Sequence, residues 1–230
     1  MVEGSTEKRK AGETARQYAY RLLRNEIVSL ELKPGSPFND GEFAGRIGLS
    51  RTPVREAVIQ LSEESRIIEI FPQRGMRVSL IDMSLVEEAR FCRLALEKEA
   101  VRLACRLICD HDKKWMDEII QLQEFYLKGD SPERFMELDN EMHRRLFSIC
   151  GKELSYELCQ RLSIHYDRIR SLSVTEVKDW QILDDHKKLF QAICCGDGEQ
   201  AAAVMDAHLN RWKVNEDAFR SRHPDYFKES

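Results

Sequence analysis

The sequence is short of the residues that break up a chain: 230 residues hold only eleven glycines and six prolines. That excludes collagen-like and Pro/Gly-rich low-complexity proteins. No stretch approaches the ~18 consecutive apolar residues of a membrane-crossing helix. The segment Met1 to Lys10 has no apolar core of the kind a secretory signal carries. A soluble, cytoplasmic chain with no membrane partner is therefore expected. Disulfide and zinc-finger frameworks are also missing. The seven cysteines (Cys92, Cys105, Cys109, Cys150, Cys159, Cys194 and Cys195) are odd in number, and no second pair accompanies Cys105 and Cys109 at zinc-site spacing. Reduced thiols, packed as small buried hydrophobes, are the expectation.

Charge is abundant, at 33% of residues, and sums to −4. Its placement is uneven. Through residue 80 there are 13 basic and 11 acidic residues, a net +2, while the remainder carries −6. Two parts with different partners are implied.

The first part reads as helices followed by a hairpin. Ala15, Ala19, Leu22, Leu23 and Ile27 recur at helical spacing until Lys33-Pro34-Gly35 ends the run. Asn39 is an N-cap with Glu42 in the capping-box position, and Gly48 closes the short helix that follows. Thr52 is expected to cap a third helix with Pro53 at its first position and Ala57, Val58 and Leu61 inside. Two strands, Ile67–Phe71 and Met76–Leu80, flank a tight Pro72-Gln73-Arg74-Gly75 turn. This order is that of a winged helix-turn-helix. Ser50, Arg51, Thr52 and Arg55 gather at a helix N-terminus, where free amides favour phosphate and arginine can fork to guanine. Arg74 beside Gly75 is placed to enter a minor groove. Taken singly, each arginine reads equally as a partner in a surface salt bridge. Lys8-Arg9-Lys10 is either a DNA-contacting arm or part of a solvated tail.

Lys33-Pro34-Gly35, the Phe38-Asn39-Asp40 helix start and above all Ser50-Arg51-Thr52-Pro53-Val54-Arg55-Glu56-Ala57 resemble the DNA-binding domain of GntR-family transcription regulators. The resemblance implies that Arg51 and Arg55 contact DNA, that Ser50 and Thr52 contact phosphate, and that Gly75 marks the wing tip. Two positions depart from the family pattern. A glycine usual after the recognition helix is replaced around Arg66, and Gly41 stands where a longer residue is common.

Beyond Ser84 the pattern is helical, with expected helices at about 84–109, 112–128, 131–150, 153–173, 178–195 and 198–222. Six antiparallel helices make a bundle, a fold that builds sites between facing helices. Asp139 and His143 are one turn apart on one face. His186 and His208 each lie ten residues from the nearer glycine of Gly196-Asp197-Gly198, so a turn there sets them level. One carboxylate and three imidazoles suit zinc, nickel, iron(II) or manganese. The plainer reading is histidines satisfying core hydrogen bonds. His165 is unassigned by spacing, and His111 and His223 fall at helix ends.

Arg93-Leu94-Ala95-Leu96-Glu97, Asp139-Asn140-Glu141-Met142-His143, Asp185-His186 and the alanine-rich stretch ending in His208-Leu209 resemble the all-helical FCD effector domain of FadR-like GntR regulators. The resemblance implies that Asp139, His143, His186 and His208 are ligands of a divalent metal ion, zinc or nickel foremost. It also makes Arg93 a candidate contact for an acid effector, against an intrahelical pair with Glu97. Arg168 and Arg170 are further candidates.

A mainly α chain is thus expected: a tail over 1–13, a winged helix-turn-helix over 14–80, a linker at 81–83, a helical effector, metal-binding and dimerisation domain over 84–222, and a C-terminal tail over 223–230. The function implied is a homodimeric transcription regulator of the repressor type on a pseudo-palindromic DNA operator, responsive to a small organic acid bound near the metal. No enzymatic activity is expected. A regulator sensing metal alone and a helical metalloenzyme are the competing readings.

Overall fold

The computed structural model describes residues 8–229, so the first seven residues of the expected N-terminal tail lie outside the described ones. The chain forms two units. One comprises residues 1–82 together with 223–230, and the other runs from Met83 to Arg222.

In the first unit, helix α1 (Ala15–Val28) starts at Thr14, whose side chain and that of Gln17 cap each other's backbone. Its apolar stripe, Ala19, Leu22, Leu23 and Ile27, packs on Val54, Ala57, Val58 and Leu61 of α3 (Arg51–Ser65). Each large aliphatic side chain buried there contributes roughly 1.5–3 kcal/mol. Between them lies α2 (Asp40–Arg46), capped by Asn39 as expected. α3 begins two residues earlier than expected. Ser50 is its N-cap and Arg51 is already helical, which leaves Pro53 still inside the first turn, where a missing N–H costs nothing.

Strands β2 (Ile68–Phe71) and β3 (Gly75–Val78) form the wing. A two-residue strand β1 (Pro37–Phe38), too short to leave a period-two signal, pairs with β3, and the sheet order is β1-β3-β2. Arg74 N–H donates to Phe71 O at 3.0 Å across a turn with Pro72 at its second position and Gln73 at φ +60°; Gly75 follows at φ +98°. Residues 223–229 are not a tail. Ile81 and Phe227 form a parallel bridge, Ile81 N–H donating to Tyr226 O at 2.8 Å and Lys228 N–H to Ile81 O at 3.0 Å. Both side chains are buried in this unit, since an apolar Phe227 finds cover only by returning to it. The expected linker correspondingly loses Ile81 to that bridge, and helix begins at Met83.

The second unit is helical throughout. Helix α4 (Met83–Leu107) is central and packs against α6 (Pro132–Ile149), α7 (Glu153–Leu162), α8 (Ile164–Leu172), α9 (Trp180–Cys194) and α10 (Gly198–Asn210). α5 (Asp110–Lys128) pairs with α6 and α9. The helix expected over 153–173 is two. Ser163 turns its hydroxyl back onto Cys159 O at 2.6 Å, a bond that competes with the helical ladder. The nine residues of α8 are buried all round, and a π-helical turn, Ser173–Val177, ends it. The helix expected over 198–222 also breaks, giving way after Asn210 to a 3-10 turn, Arg211–Val214, before α11 (Glu216–Arg222). The cysteines are all unpaired, but only Cys159 is buried; Cys109, Cys194 and Cys195 are exposed because they sit at helix ends rather than on inner faces.

Candidate functional site

In the first unit, α2 presents Asp40 at its first turn, and Arg51 and Arg55, one turn apart on α3, lean on it at 3.7 and 3.9 Å. Both arginine side chains stay 71% exposed, so they are oriented without being consumed. The Arg51 guanidinium occupies the space that Gly41 leaves open, since a β-carbon there would come within 2.7 Å of its Cζ. Ser50 caps α3 without a side-chain hydrogen bond to the helix. Its hydroxyl and the first-turn amides are thereby left toward solvent, the arrangement that suits a phosphate oxygen. Thr52 is exposed beside them, and Arg74 and Gly75 are exposed at the wing turn. Arg66, at the position where the family usually has glycine, adopts φ +54°, the left-handed conformation that ends α3.

In the second unit, Asp139 and His143 of α6, His186 of α9 and His208 of α10 offer ligand atoms that all lie within 4.8 Å of one another. The glycine-flanked turn between α9 and α10 does bring His186 and His208 level, with ring centroids 4.9 Å apart. Each imidazole is held from behind or by a neighbour. His143 Nδ1 lies 2.5 Å from Glu97 Oε2 of α4, and His186 Nδ1 lies 2.8 Å from Gln123 Oε1 of α5. These contacts place the ring protons on Nδ1 and turn both Nε2 lone pairs inward. His186 Nε2 then faces Asp139 Oδ1 at 3.0 Å with no hydrogen bond between them, and His143 Nε2 faces His208 Nε2 at 3.2 Å. Three imidazoles and a carboxylate that converge this closely in a buried site are a donor set that fits a cation. Burial first, and then neighbouring positive groups, holds His186 and His208 far below the ordinary histidine pKa, keeping them in the neutral form that ligates.

Around this cluster the charges are paired. Burial alone would raise the pKa of Glu97, but Arg93 and His143 outweigh it and keep it ionised. Arg170 is ion-paired with Asp139 and, at 2.8 Å, with Asp167; Arg211 donates to Asp185 at 2.7 Å and to Gln181 at 2.7 Å. A cavity of about 20 Å³ opens beside the cluster, lined among others by Asp139, His208, Tyr166, Arg170, Arg211 and Trp212.

Arg93, expected in the pocket, does not line it. Its Nε donates to Glu97 Oε1 at 2.6 Å and its guanidinium lies over the Tyr166 ring, so the intrahelical pair is what forms. Arg170 does line the cavity. Arg168 is fully buried, donating toward His165 Nδ1 at 2.7 Å, and burial lowers its pKa to about 9. His165 is thereby accounted for apart from the cluster of Asp139, His143, His186 and His208. Sequence reasoning missed Glu97 as a histidine holder and Gln123, Arg211 and Trp212 altogether. A signal existed for Trp212, which stands four residues after His208 and so on its helical face.

Comparison with known proteins agrees with both halves. Residues 15–78 match the model described as bacterial regulatory proteins, gntR family, and residues 88–211 match the FCD domain. The chain is 31% identical over 214 residues to the HTH-type transcriptional repressor RspR of Escherichia coli (strain K12), covering 93% of each. It is 30% identical over 218 residues to an HTH-type transcriptional regulator from an unstable DNA locus of Streptomyces ambofaciens, covering 94% of this chain and 91% of that one. Among solved structures, E. coli McbR/YncC shares the fold at a TM-score of 0.77, over 91% of this chain and 99% of that one, with 17% identity. A winged helix-turn-helix joined to a helical effector-type domain defines a DNA-binding transcription regulator, not an enzyme. The chain belongs to the GntR family of bacterial regulatory proteins and carries a C-terminal FCD domain.

Proposed function

We propose that the protein is a homodimeric, ligand-responsive repressor whose operator affinity is set by a small organic acid bound beside a divalent metal ion. Asp139, His143, His186 and His208 would hold the ion, which would supply a positive centre for a carboxylate. The observation that carries the reading is the charge balance at the cluster. Four carboxylates (Glu97, Asp139, Asp167 and Asp185) face three guanidiniums (Arg93, Arg170 and Arg211), a net −1 from these seven side chains. A divalent cation turns that into +1. A buried net charge is costly unless paired, and one carboxylate neutralises it. This favours acid sensing over sensing of metal alone. The repressor role is supported by the relative named as a repressor.

A second copy is the expected partner of α7. Leu154, Leu158 and Leu162, at i, i+4 and i+8, form an exposed apolar stripe 45–80% accessible. Glu153 and Glu157 mark its N-terminal end and Arg161 its C-terminal end. Antiparallel pairing about Leu158 sets acidic end beside basic end and Leu154 beside the partner's Leu162. A two-fold dimer of this kind presents two recognition helices to a palindromic site.

The test uses duplexes selected from a random pool by the metal-loaded protein, with binding followed by fluorescence anisotropy at fixed salt. Arg51→Ala with Arg55→Ala should weaken binding by more than about 100-fold, since each forked contact contributes roughly 1–3 kcal/mol, while leaving metal content unchanged. A three-carbon acid should shift the operator affinity of the wild type. Affinity that tracks metal concentration and ignores every acid would instead favour the metal sensor.

A further inference from the structure

Trp212 has a buried indole nitrogen with no hydrogen-bond partner. The residue is 4% exposed and lines the cavity that Asp139 and His208 also line. A buried N–H left without a partner costs roughly 1–3 kcal/mol, and native structures retain such groups where something else completes them. The local backbone is unusual for the same reason of place. Both departures from α geometry in this unit that border the cavity, the π-helical turn that begins at Ser173 and the 3-10 turn that begins at Arg211, contribute lining residues: Ser173 and Val174 from one, Arg211 and Trp212 from the other. Short π and 3-10 insertions of this kind often mark functional positions. The two flanking residues of Trp212 are engaged elsewhere, Arg211 on Asp185 and Gln181, and Lys213 on Glu87 at 2.8 Å. Within this turn, the buried donor left without a partner of its own is the indole of a cavity-lining residue.

We infer that Trp212 is the specificity-determining contact of the effector site: its N–H donates to a neutral second oxygen of the bound acid, selecting a short hydroxy- or keto-monocarboxylate over the plain acid of the same length. This rests on the acid-effector reading above. A single carboxylate completes the charge of the metal-loaded cluster, so the second group needs to accept a hydrogen bond without adding charge. As it stands the cavity has room for about one water molecule, so a three-carbon acid enters only as the lining side chains move apart, which disfavours longer ligands.

Isothermal titration of the zinc-loaded full-length protein with propionate, lactate and malonate tests it, alongside Trp212→Phe, which keeps the aromatic ring and removes the donor. Wild type should bind lactate roughly tenfold more tightly than propionate, the worth of one well-made hydrogen bond, and malonate more weakly than lactate. Trp212→Phe should reduce the lactate preference to about twofold with zinc stoichiometry and propionate affinity unchanged. The indole emission, read as wild type minus variant, should change on adding lactate and not on adding propionate. Equal losses for all three acids in the variant would assign Trp212 to packing and overturn the inference while sparing the acid-effector reading. A wild type that does not discriminate overturns it in the same way. Binding of none of the three acids to protein that retains its zinc overturns the acid-effector reading and this inference with it.

Discussion

Glu97 lies outside the cluster of Asp139, His143, His186 and His208 and yet sets its geometry. Its carboxylate, 2% exposed, bridges Arg93 Nε and His143 Nδ1, so it fixes which imidazole nitrogen faces the centre. Replacing such an outer partner typically costs a metal site 10–100-fold in affinity. Glu97→Gln should weaken zinc retention by about that factor in competition with a chromophoric chelator, with the helical circular dichroism unchanged; retention equal to wild type would remove Glu97 from the site. The clustering of the four side chains was legible in the sequence, because Asp139 and His143 are a turn apart and a glycine-flanked break centres His186 and His208. Their supports were not. Glu97 is 46 residues from His143 and Gln123 is 63 residues from His186, and no local periodicity records which face of a distant helix meets a ring. Arg93 was legible as two alternatives, and the buried pair with Glu97 was decided by packing against Tyr166, which lies in a different helix.

At the scale of elements, what the chain specifies locally appears where it was expected. Asn39 caps its helix, and the run from Ser50 to Ala57 starts the recognition helix, though the cap is Ser50 and not the expected Thr52. What fails is helix continuity. Periodicity ran unbroken through Ser163 and through Asn210, but a hydroxyl bonded back to Cys159 O in one case, and Asn210 bonded back to Asp206 in the other, give the backbone alternatives to the α ladder. The shortened α7 is thereby a separate element with its own exposed leucine stripe. Leu158→Glu, at a 53% exposed position, should leave the fold's Tm within a few degrees and convert the species seen by sedimentation from dimer to monomer. A dimer that persists at micromolar concentration would place the two-fold contact on another face.

On the scale of the whole molecule, the division of charge survives in sharper form. The modest excess of the first eighty residues is concentrated in exposed arginines at one helix start and one turn, whereas the acidic excess of the remainder includes carboxylates spent on buried pairs. Net charge alone describes neither surface. The return of residues 223–229 to the first unit was the least legible feature, since a seven-residue stretch holding Tyr226 and Phe227 has too few positions to reveal a periodicity. The bridge between Ile81 and Phe227 makes the helical unit topologically an insert, entered after Asp82 and left at Arg222. Two chain crossings rather than one therefore join the helical unit to the remainder, and the residues that follow the second crossing are anchored at Ile81. Deleting residues 224–230 should therefore spare zinc binding and the recognition helix, yet diminish the effect of an acid on operator affinity. Full acid response in the shortened chain would show that one strand suffices.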